Sequence, residues 1–107
     1  MEDLEVETKG TETDKIRLFE VCNDMMNPVI QVGARIVCNN ITGSSFIEWG
    51  EIHVLIIDGL PHTCRLFPSD KEDSYKVKYD NKDYPVNYIP KCIVSGVYRA
   101  IGVMTLL

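Results

Sequence analysis

A chain of 107 residues is long enough for one domain that buries a hydrophobic core without disulfides or a structural metal. Hydrophobic residues make up 45% of the chain and charged residues 25%, which is an ordinary composition for a globular domain. The formal net charge of −5 argues against a nucleic-acid-binding surface on this domain, because phosphate contacts need clustered Lys and Arg.

The four cysteines are widely spaced, lie inside apolar runs and form no C-x-x-C pair: Cys22, Cys38, Cys64 and Cys92. The spacing therefore supports neither a zinc site nor a redox motif, and we expect no cofactor and no metal. Isolated buried thiols indicate a reducing cytoplasm. The acidic, polar N-terminus is the reverse of a secretory signal, and we expect no membrane contact.

Residues 1–15 are rich in Glu, Asp, Thr and Lys and have no apolar period, which predicts a flexible acidic leader or linker. The folded domain is expected to span residues 16–107. Its first element is a predicted strand from Ile16 to Cys22, covered on both faces near its end.

The stretch from Val21 to Val37 predicts a strand, an apolar turn closed by Pro28, a second turn at Gly33 and another strand. Pro28 has no amide hydrogen for a sheet ladder, and Gly33 can adopt the positive φ of a turn. The turn carries two adjacent methionines. We expect Met26 to fill the core, whereas Met25 either packs there or forms part of an adaptable docking surface.

A loop follows this stretch, and then a short turn that we expect to place Trp49 on the core; the alternative is an exposed Trp49 that binds a partner. Glu51 to Ile57 and His62 to Phe67 predict a hairpin with Asp58-Gly59 as its turn.

Tyr75 to Tyr79 alternates apolar and charged residues and predicts a strand with one wet face, followed by a turn at residues 80–83. A last long strand is predicted from Lys91 to Leu107, bent at Gly96 and Gly102. No helical period persists, so the chain is predicted to be mainly β.

In this order and spacing, the motifs resemble the family of LexA-like repressors and signal peptidases over nearly all of residues 17–107. That family carries G-D-S-M-x-P, then G-D and a strand, then G-x-(I/V)-Y-V-L, K-R-L, S-D-N-x-x-Y-P and I-x-G-x-V. The matching segments here are Asn23-Asp24-Met25-Met26-Asn27-Pro28, Gly33-Ala34, residues 46–55, Cys64-Arg65-Leu66, residues 79–85 and residues 93–97.

The resemblance implies a twisted β-ribbon fold with bent antiparallel sheets and a self-cleaving Ser-Lys peptidase of the phage-repressor type. Met25 stands at the serine position and Cys64 at the lysine position, while Asn23 and Ala34 also depart from the pattern. A thioether has no proton to lose and a thiol does not replace an amine base, so we expect a pseudo-peptidase rather than an enzyme.

The implied function is that of a non-catalytic C-terminal domain of a phage-type or bacterial transcriptional repressor in the bacterial cytoplasm. DNA would be contacted by a helical domain that is absent from this chain. Homodimerisation is expected through the last strand, at Val103, Met104 and Leu106. A peptide segment or regulatory protein would bind in a cleft lined by Asn23, Asp24, Met25, Met26, Pro28, His53 and Cys64.

Four alternatives remain open from the residues. Cys64 could act as a nucleophile with His53, which lies directly opposite it if the hairpin turn has two residues. His53, His62 and Cys64 could hold a metal, although no fourth ligand is identifiable. The domain could also be a residual self-processing peptidase or a stand-alone interaction module.

Overall fold

The computed structural model describes residues 16–44 and 46–105, which form one antiparallel sheet of seven strands. The predicted leader at residues 1–15 and the predicted interface residue Leu106 lie outside the described part. The sheet order is β1-β2-β7-β3-β4-β5-β6, and the mainly β prediction is confirmed. The strands are β1 (Ile16–Glu20), β2 (Arg35–Asn40), β3 (Ile52–Ile57), β4 (Leu60–Phe67), β5 (Ser74–Lys78), β6 (Asn87–Pro90) and β7 (Val94–Met104).

The β3–β4 hairpin turns at Asp58-Gly59, as predicted, and both residues have positive φ, 53° and 76°. This backbone suits the right-handed twist of a two-residue hairpin. β4 begins earlier than predicted, because Pro61 fits inside it. Pro61 pairs with Ile56, while the pairing of β4 with β5 is confined to Arg65–Phe67. Pro61 therefore lies in a part of β4 that has no β5 residue opposite it, and the sheet loses no hydrogen bond through the amide hydrogen that proline lacks.

β7 lies between β2 and β3, and it is irregular next to both predicted glycines. The register with β3 shifts next to Gly96, and the register with β2 shifts next to Gly102. At Gly96 a Cβ atom would come within 3.1 Å of the Ile56 side chain, so a larger residue there would have to displace that side chain by a few tenths of an ångström. The strand is shorter than predicted, because residues 91–93 form a single 3₁₀ turn.

Two hydrophobic clusters form the core, and alternating residues of β3 feed them: Val54 joins one and Leu55 the other. The turn cluster contains the buried residues Phe19, Val21, Met26, Ile30, Ala34, Ile36, Cys38, Val54 and Tyr98. The hairpin cluster contains Leu55, Cys64, Leu66, Val77, Ile89 and Val97. Because Val54 and Leu55 point to opposite faces, β3 is covered on both sides.

Several expectations about burial were wrong. Trp49 is 47% exposed rather than in the core, because it lies in the loop before β3. In β1 only Phe19 is buried; the strand lies at the edge of the sheet and packs one face on the turn cluster, so it is not covered on both faces. Cys22 and Cys92 are exposed, whereas Cys38 and Cys64 are buried thiols.

Two leucines of β4 that differ in solvent exposure provide a matched test of the hairpin cluster. Leu66 is fully buried and Leu60, in the same strand, is 68% exposed. Leu66→Ala should lower the free energy of unfolding by about 2–5 kcal/mol, because it leaves a cavity. Leu60→Ala should change it by no more than about 0.5 kcal/mol. Urea denaturation measures both, and equal losses in the two variants would contradict this assignment of the core.

Candidate site between the methionine turn and the hairpin

The segment between β1 and β2 forms a compact turn that backbone hydrogen bonds close. The Val21 amide donates to the Ala34 carbonyl at 2.8 Å, and the Gly33 amide donates to the Val21 carbonyl at 2.9 Å. Gly33 has φ 95°, which confirms the predicted turn. Met26 is fully buried in the turn cluster, as expected for a core side chain, and Met25 is half-buried. We call residues 21–34 the methionine turn.

The segment that follows β5 holds the methionine turn from outside. Asn81 donates its backbone amide to the Met25 carbonyl at 2.9 Å and its side-chain amide to the Asp24 carbonyl at 2.8 Å. The Tyr84 hydroxyl donates to the Asp24 carboxylate at 2.5 Å. Asn23 is exposed and accepts a hydrogen bond from the Met25 amide at 3.1 Å. These contacts fix the backbone on both sides of Met25.

Sequence reasoning treated residues 80–83 only as a turn and so missed the role of Asn81 and Tyr84. The signal that could have found them was the D-N-x-x-Y-P spacing, which was noted only as part of the resemblance. An amide and a phenol three residues apart can reach the same neighbouring turn, but the neighbour lies 57 to 60 residues away in the chain.

In the hairpin, His53 lies directly opposite Cys64, as expected from the two-residue turn. Neither residue has exposed surface. Burial raises the pKa of the Cys64 thiol to about 12. The His53 ring donates from Nδ1 to the Glu51 carbonyl at 2.8 Å, and its Nε2 has no hydrogen-bond partner among the described residues. The two side chains therefore do not form a hydrogen-bonded Cys–His pair.

Tyr79 connects the two halves of the site. Its ring packs against both the turn cluster and the hairpin cluster, and its hydroxyl is 2.7 Å from Nε2 of His62. Its ring also lies edge-on to Tyr84, with centroids 6.0 Å apart. Burial raises the pKa of the Tyr79 phenol above its ordinary value. Tyr79 thus lies between the methionine turn and the thiol.

An ion pair beside Tyr79 fixes the same segment. Arg65 donates from Nε to the Asp80 carboxylate at 2.7 Å and from Nη1 to the Gly50 carbonyl at 2.9 Å. Arg65 follows Cys64 and Asp80 follows Tyr79, so the bond holds the start of the post-β5 segment onto β4. Charge-assisted bonds of this geometry are stronger than neutral ones.

The predicted cleft residues fall into two environments. Asn23, Asp24 and Pro28 are exposed at the methionine turn, whereas Met26, His53 and Cys64 are buried. The open space at the turn is a cavity of about 450 Å³ lined by Asn27, Pro28, Gln31 and Val32. Of the predicted set, only Pro28 lines it.

The structure gives no support to a metal site at His53, His62 and Cys64. Within residues 16–44 and 46–105, no three His, Cys, Asp or Glu side chains converge as ligands. His62 directs Nε2 to the Tyr79 hydroxyl, and burial lowers the pKa of its ring.

The predicted interface residues Val103 and Met104 end β7 and are 44% and 46% exposed. They pair with Ile36 and Arg35 of β2. Arg99 is the last residue of β7 that pairs with β3, so among the strands that the structure describes, the part of β7 from Ala100 to Met104 pairs with β2 alone.

A family model described as Peptidase S24-like matches residues 2–102 of the chain. A search of curated proteins finds no match to the chain. In the part of the chain that the structure describes, no helix is long and apolar enough to cross a membrane.

The burial of His53 predicts a pH dependence of stability. Burial lowers its pKa below the usual value of 6.5, so the unfolded chain takes up a proton before the folded chain does. Stability that is full above pH 6.5 should fall as the pH drops from there through the folded-state pKa, by at most about 1.4 kcal/mol per pH unit for this group.

Urea denaturation between about pH 5 and pH 7 measures this slope. His62 contributes in the same direction, because burial lowers its pKa too. His53→Gln should therefore reduce the slope without removing it, and His53→Gln with His62→Gln should nearly flatten it. An unchanged slope in the double variant would contradict the assignment.

Proposed function

The chain belongs to the Peptidase S24-like family, and we propose that it is a member without peptidase activity, the non-catalytic C-terminal domain of a phage-type or bacterial transcriptional repressor. The observation that carries this proposal is the pair of residues at the family's nucleophile and base positions, Met25 and Cys64. In this proposal the domain acts by dimerising and by presenting the surface of the methionine turn to a peptide or regulatory protein.

The chemistry of the two side chains supports the loss of activity. The Met25 thioether has no proton to give up and cannot form an acyl intermediate. A thiol with a pKa of about 12 is almost entirely protonated at neutral pH, so Cys64 lacks the thiolate that a cysteine peptidase needs. His53 does not hydrogen-bond it, and no described residue donates a hydrogen bond to the free Nε2 of His53. The Cys64-dependent alternative is correspondingly weak.

The surroundings of Cys64 would still suit a lysine base. The position has no exposed surface and lies in the hairpin cluster. Burial disfavours the charged form of an amine and lowers its pKa, which is the condition under which a lysine can accept a proton from a serine. Met25 stays half-buried next to Asp24, whose backbone Asn81 holds.

Restoring both residues tests the proposal. Met25→Ser combined with Cys64→Lys should give a chain that cleaves itself or a copy at alkaline pH, whereas the native chain and each single variant should stay intact. Mass spectrometry after long incubation measures the products, and circular dichroism confirms that each variant is folded.

The controls distinguish a domain without peptidase activity from a peptidase that depends on Cys64. Cleavage by the native chain would overturn the proposal, and its loss in Cys64→Ala would then assign the activity to the thiol. Native chain that stays intact beside a cleaving double variant would support it.

The dimer part of the proposal rests on the end of β7. Within residues 16–44 and 46–105, no strand pairs with residues 100–104 of β7 on the side of β3, and the exposed side chains Ile101, Val103 and Met104 carry no charge that would discourage pairing. A two-fold axis beside this edge would pair the two copies of the strand with each other and bury these side chains. The negative charge of the domain leaves DNA contact to another domain.

Sedimentation measures the dimer directly. The native chain should be dimeric at high micromolar concentration, and Val103→Glu should shift it to monomer, because the interface would bury an unpaired charge. Leu60→Glu introduces the same charge at an exposed position of the β3–β4 hairpin and should leave the dimer intact. A native chain that is only monomeric would count against the interface.

We also place the domain in the bacterial cytoplasm. Cys38 and Cys64 are buried free thiols, and none of the four cysteines forms a disulfide. A stand-alone interaction module is the second candidate, and the exposed aromatic side chains Phe46 and Trp49 favour it. The coding sequence upstream of Met1 separates the two candidates, because only a repressor would be joined to a DNA-binding helical domain.

A further inference from the structure

The chain enters β3 through residues 46–51, which we call the strap. Ile47 packs on the hairpin cluster. Further along the strap, the Gly50 amide donates to the Leu66 carbonyl of β4 at 2.7 Å, and Arg65 donates to the Gly50 carbonyl at 2.9 Å. One apolar side chain and a few hydrogen bonds thus hold the strap against the sheet. A segment held in this way opens at a lower free energy than the paired strands beside it.

A row of three paired residues crosses the sheet beside the strap: Cys64 of β4, His53 of β3 and Arg99 of β7. Directly opposite residues of antiparallel strands share a face, and Cys64 belongs to the hairpin cluster, so the row lies on the face that the strap contacts. Glu48 of the strap is 3.8 Å from the Arg99 guanidinium. Cys64 and His53 have no exposed surface. The strap is therefore part of the cover that keeps both side chains from solvent.

The His53 ring has one nitrogen without a partner in this closed arrangement. Nδ1 is bonded to the Glu51 carbonyl at 2.8 Å, and Nε2 has no hydrogen-bond partner among the described residues. In a neutral ring whose hydrogen is on Nδ1, Nε2 carries no hydrogen. In a protonated ring, Nε2 would carry a hydrogen with neither an acceptor nor exposed surface, and a charged donor left unpaired in a buried site is costly.

The charged groups that face His53 do not offset this cost. Arg99, directly opposite on β7, has the same charge as a protonated ring, and the Cys64 thiol on β4 is neutral. Burial is the main reason that the pKa of His53 lies below 6.5; the Glu51 carbonyl favours the charged ring, Arg99 opposes it, and the carboxylates of Glu48 and Glu51 favour it. The closed strap thus fits the neutral ring.

We propose that the strap is an acid-sensitive cover: protonation of His53 opens residues 46–51, brings water to Nε2 and exposes Cys64. Water then supplies the acceptor that the closed arrangement lacks. The strap also carries Phe46 and Trp49, which are 69% and 47% exposed, so the same movement displaces two aromatic side chains that are accessible to a partner. This regulation is independent of the proposed function, since it involves neither a peptidase reaction nor a dimer.

The direction of the effect follows from the two states of the strap. With the strap open, His53 is in water and has its usual pKa of 6.5; with the strap closed, its pKa is lower. The equilibrium constant for opening should therefore be unchanged above pH 6.5. It should rise as the pH falls from there to the closed-state pKa, by at most about tenfold per pH unit.

Two buried thiols test the opening. Cys64 lies in the hairpin cluster beside the strap, and Cys38 lies in the turn cluster. In a chain with Cys22→Ser and Cys92→Ser, dithiodipyridine labels the two thiols, and mass spectrometry gives the initial rate for each. The ratio of the Cys64 rate to the Cys38 rate should rise at least about threefold from pH 7 to pH 5. An unchanged ratio, or two thiols that are always labelled together, would overturn the proposal.

Two histidine variants identify the group that takes up the proton. His53→Gln stays neutral and should hold the labelling ratio constant over the same pH range. His62→Gln removes the other histidine of the chain, which lies on the same hairpin, and should keep the rise. A rise that persists in His53→Gln, or one that disappears in His62→Gln, would overturn the role of His53. Circular dichroism at both pH values confirms that each variant is folded.

Neighbouring residues of the strap test the cover without a change in pH. Ile47→Ala removes the apolar anchor and should raise the labelling ratio several-fold at pH 7. Phe46→Ala changes an exposed side chain and should leave the ratio within about twofold. The emission of Trp49, the one tryptophan of the chain, should change between pH 7 and pH 5 in the native chain and not in His53→Gln. Equal labelling of the two alanine variants, or emission that does not depend on His53, would overturn the proposal.

Discussion

The antiparallel pairing of β7 with both β2 and β3 is the constraint on which the rest of the structure depends. β1 and β2 flank the methionine turn, β3 to β6 include the hairpin, and among the strands that the structure describes only β7 joins these two halves in the sheet. The Ile41 amide also donates to the Val97 carbonyl of this strand, at 2.9 Å. Because β7 comes last in the chain, the sheet closes only when the final strand inserts at its centre, and Gly96 permits that approach.

The methionine turn is held by hydrogen bonds in which the side chains of Met25 and Cys64 take no part. Asn81 bonds to the backbone carbonyls of Asp24 and Met25, and Tyr84 bonds to the carboxylate of Asp24. A substitution at position 25 removes none of these bonds. The scaffold and the reacting groups are thus separable in physical terms, and the geometry does not need a Ser-Lys pair to hold it.

The features that sequence reasoning predicted are those that depend on neighbours in the chain. Asp58-Gly59 predicts a two-residue turn because both residue types tolerate positive φ, and both have it in the structure. A two-residue turn in turn places His53 directly opposite Cys64. β6 was missed because it has only four residues and ends in Pro90. The predicted burial of Trp49 was wrong because the general tendency of tryptophan to be buried does not show whether other parts of the chain cover the loop that carries it. The hydrogen bonds of Asn81 and Tyr84 join residues far apart in the chain; the D-N-x-x-Y-P spacing singles out the two side chains but does not identify the turn that they contact.

The environment of Cys64 has opposite consequences for a thiol and for an amine. Burial disfavours whichever form is charged, so it raises the pKa of the thiol to about 12 and keeps the thiol protonated at neutral pH. The same burial lowers the pKa of a base, as it does for His53 and His62 on the same hairpin. The proposed loss of peptidase activity therefore requires a change of residue type at position 64 and no change in the burial around it.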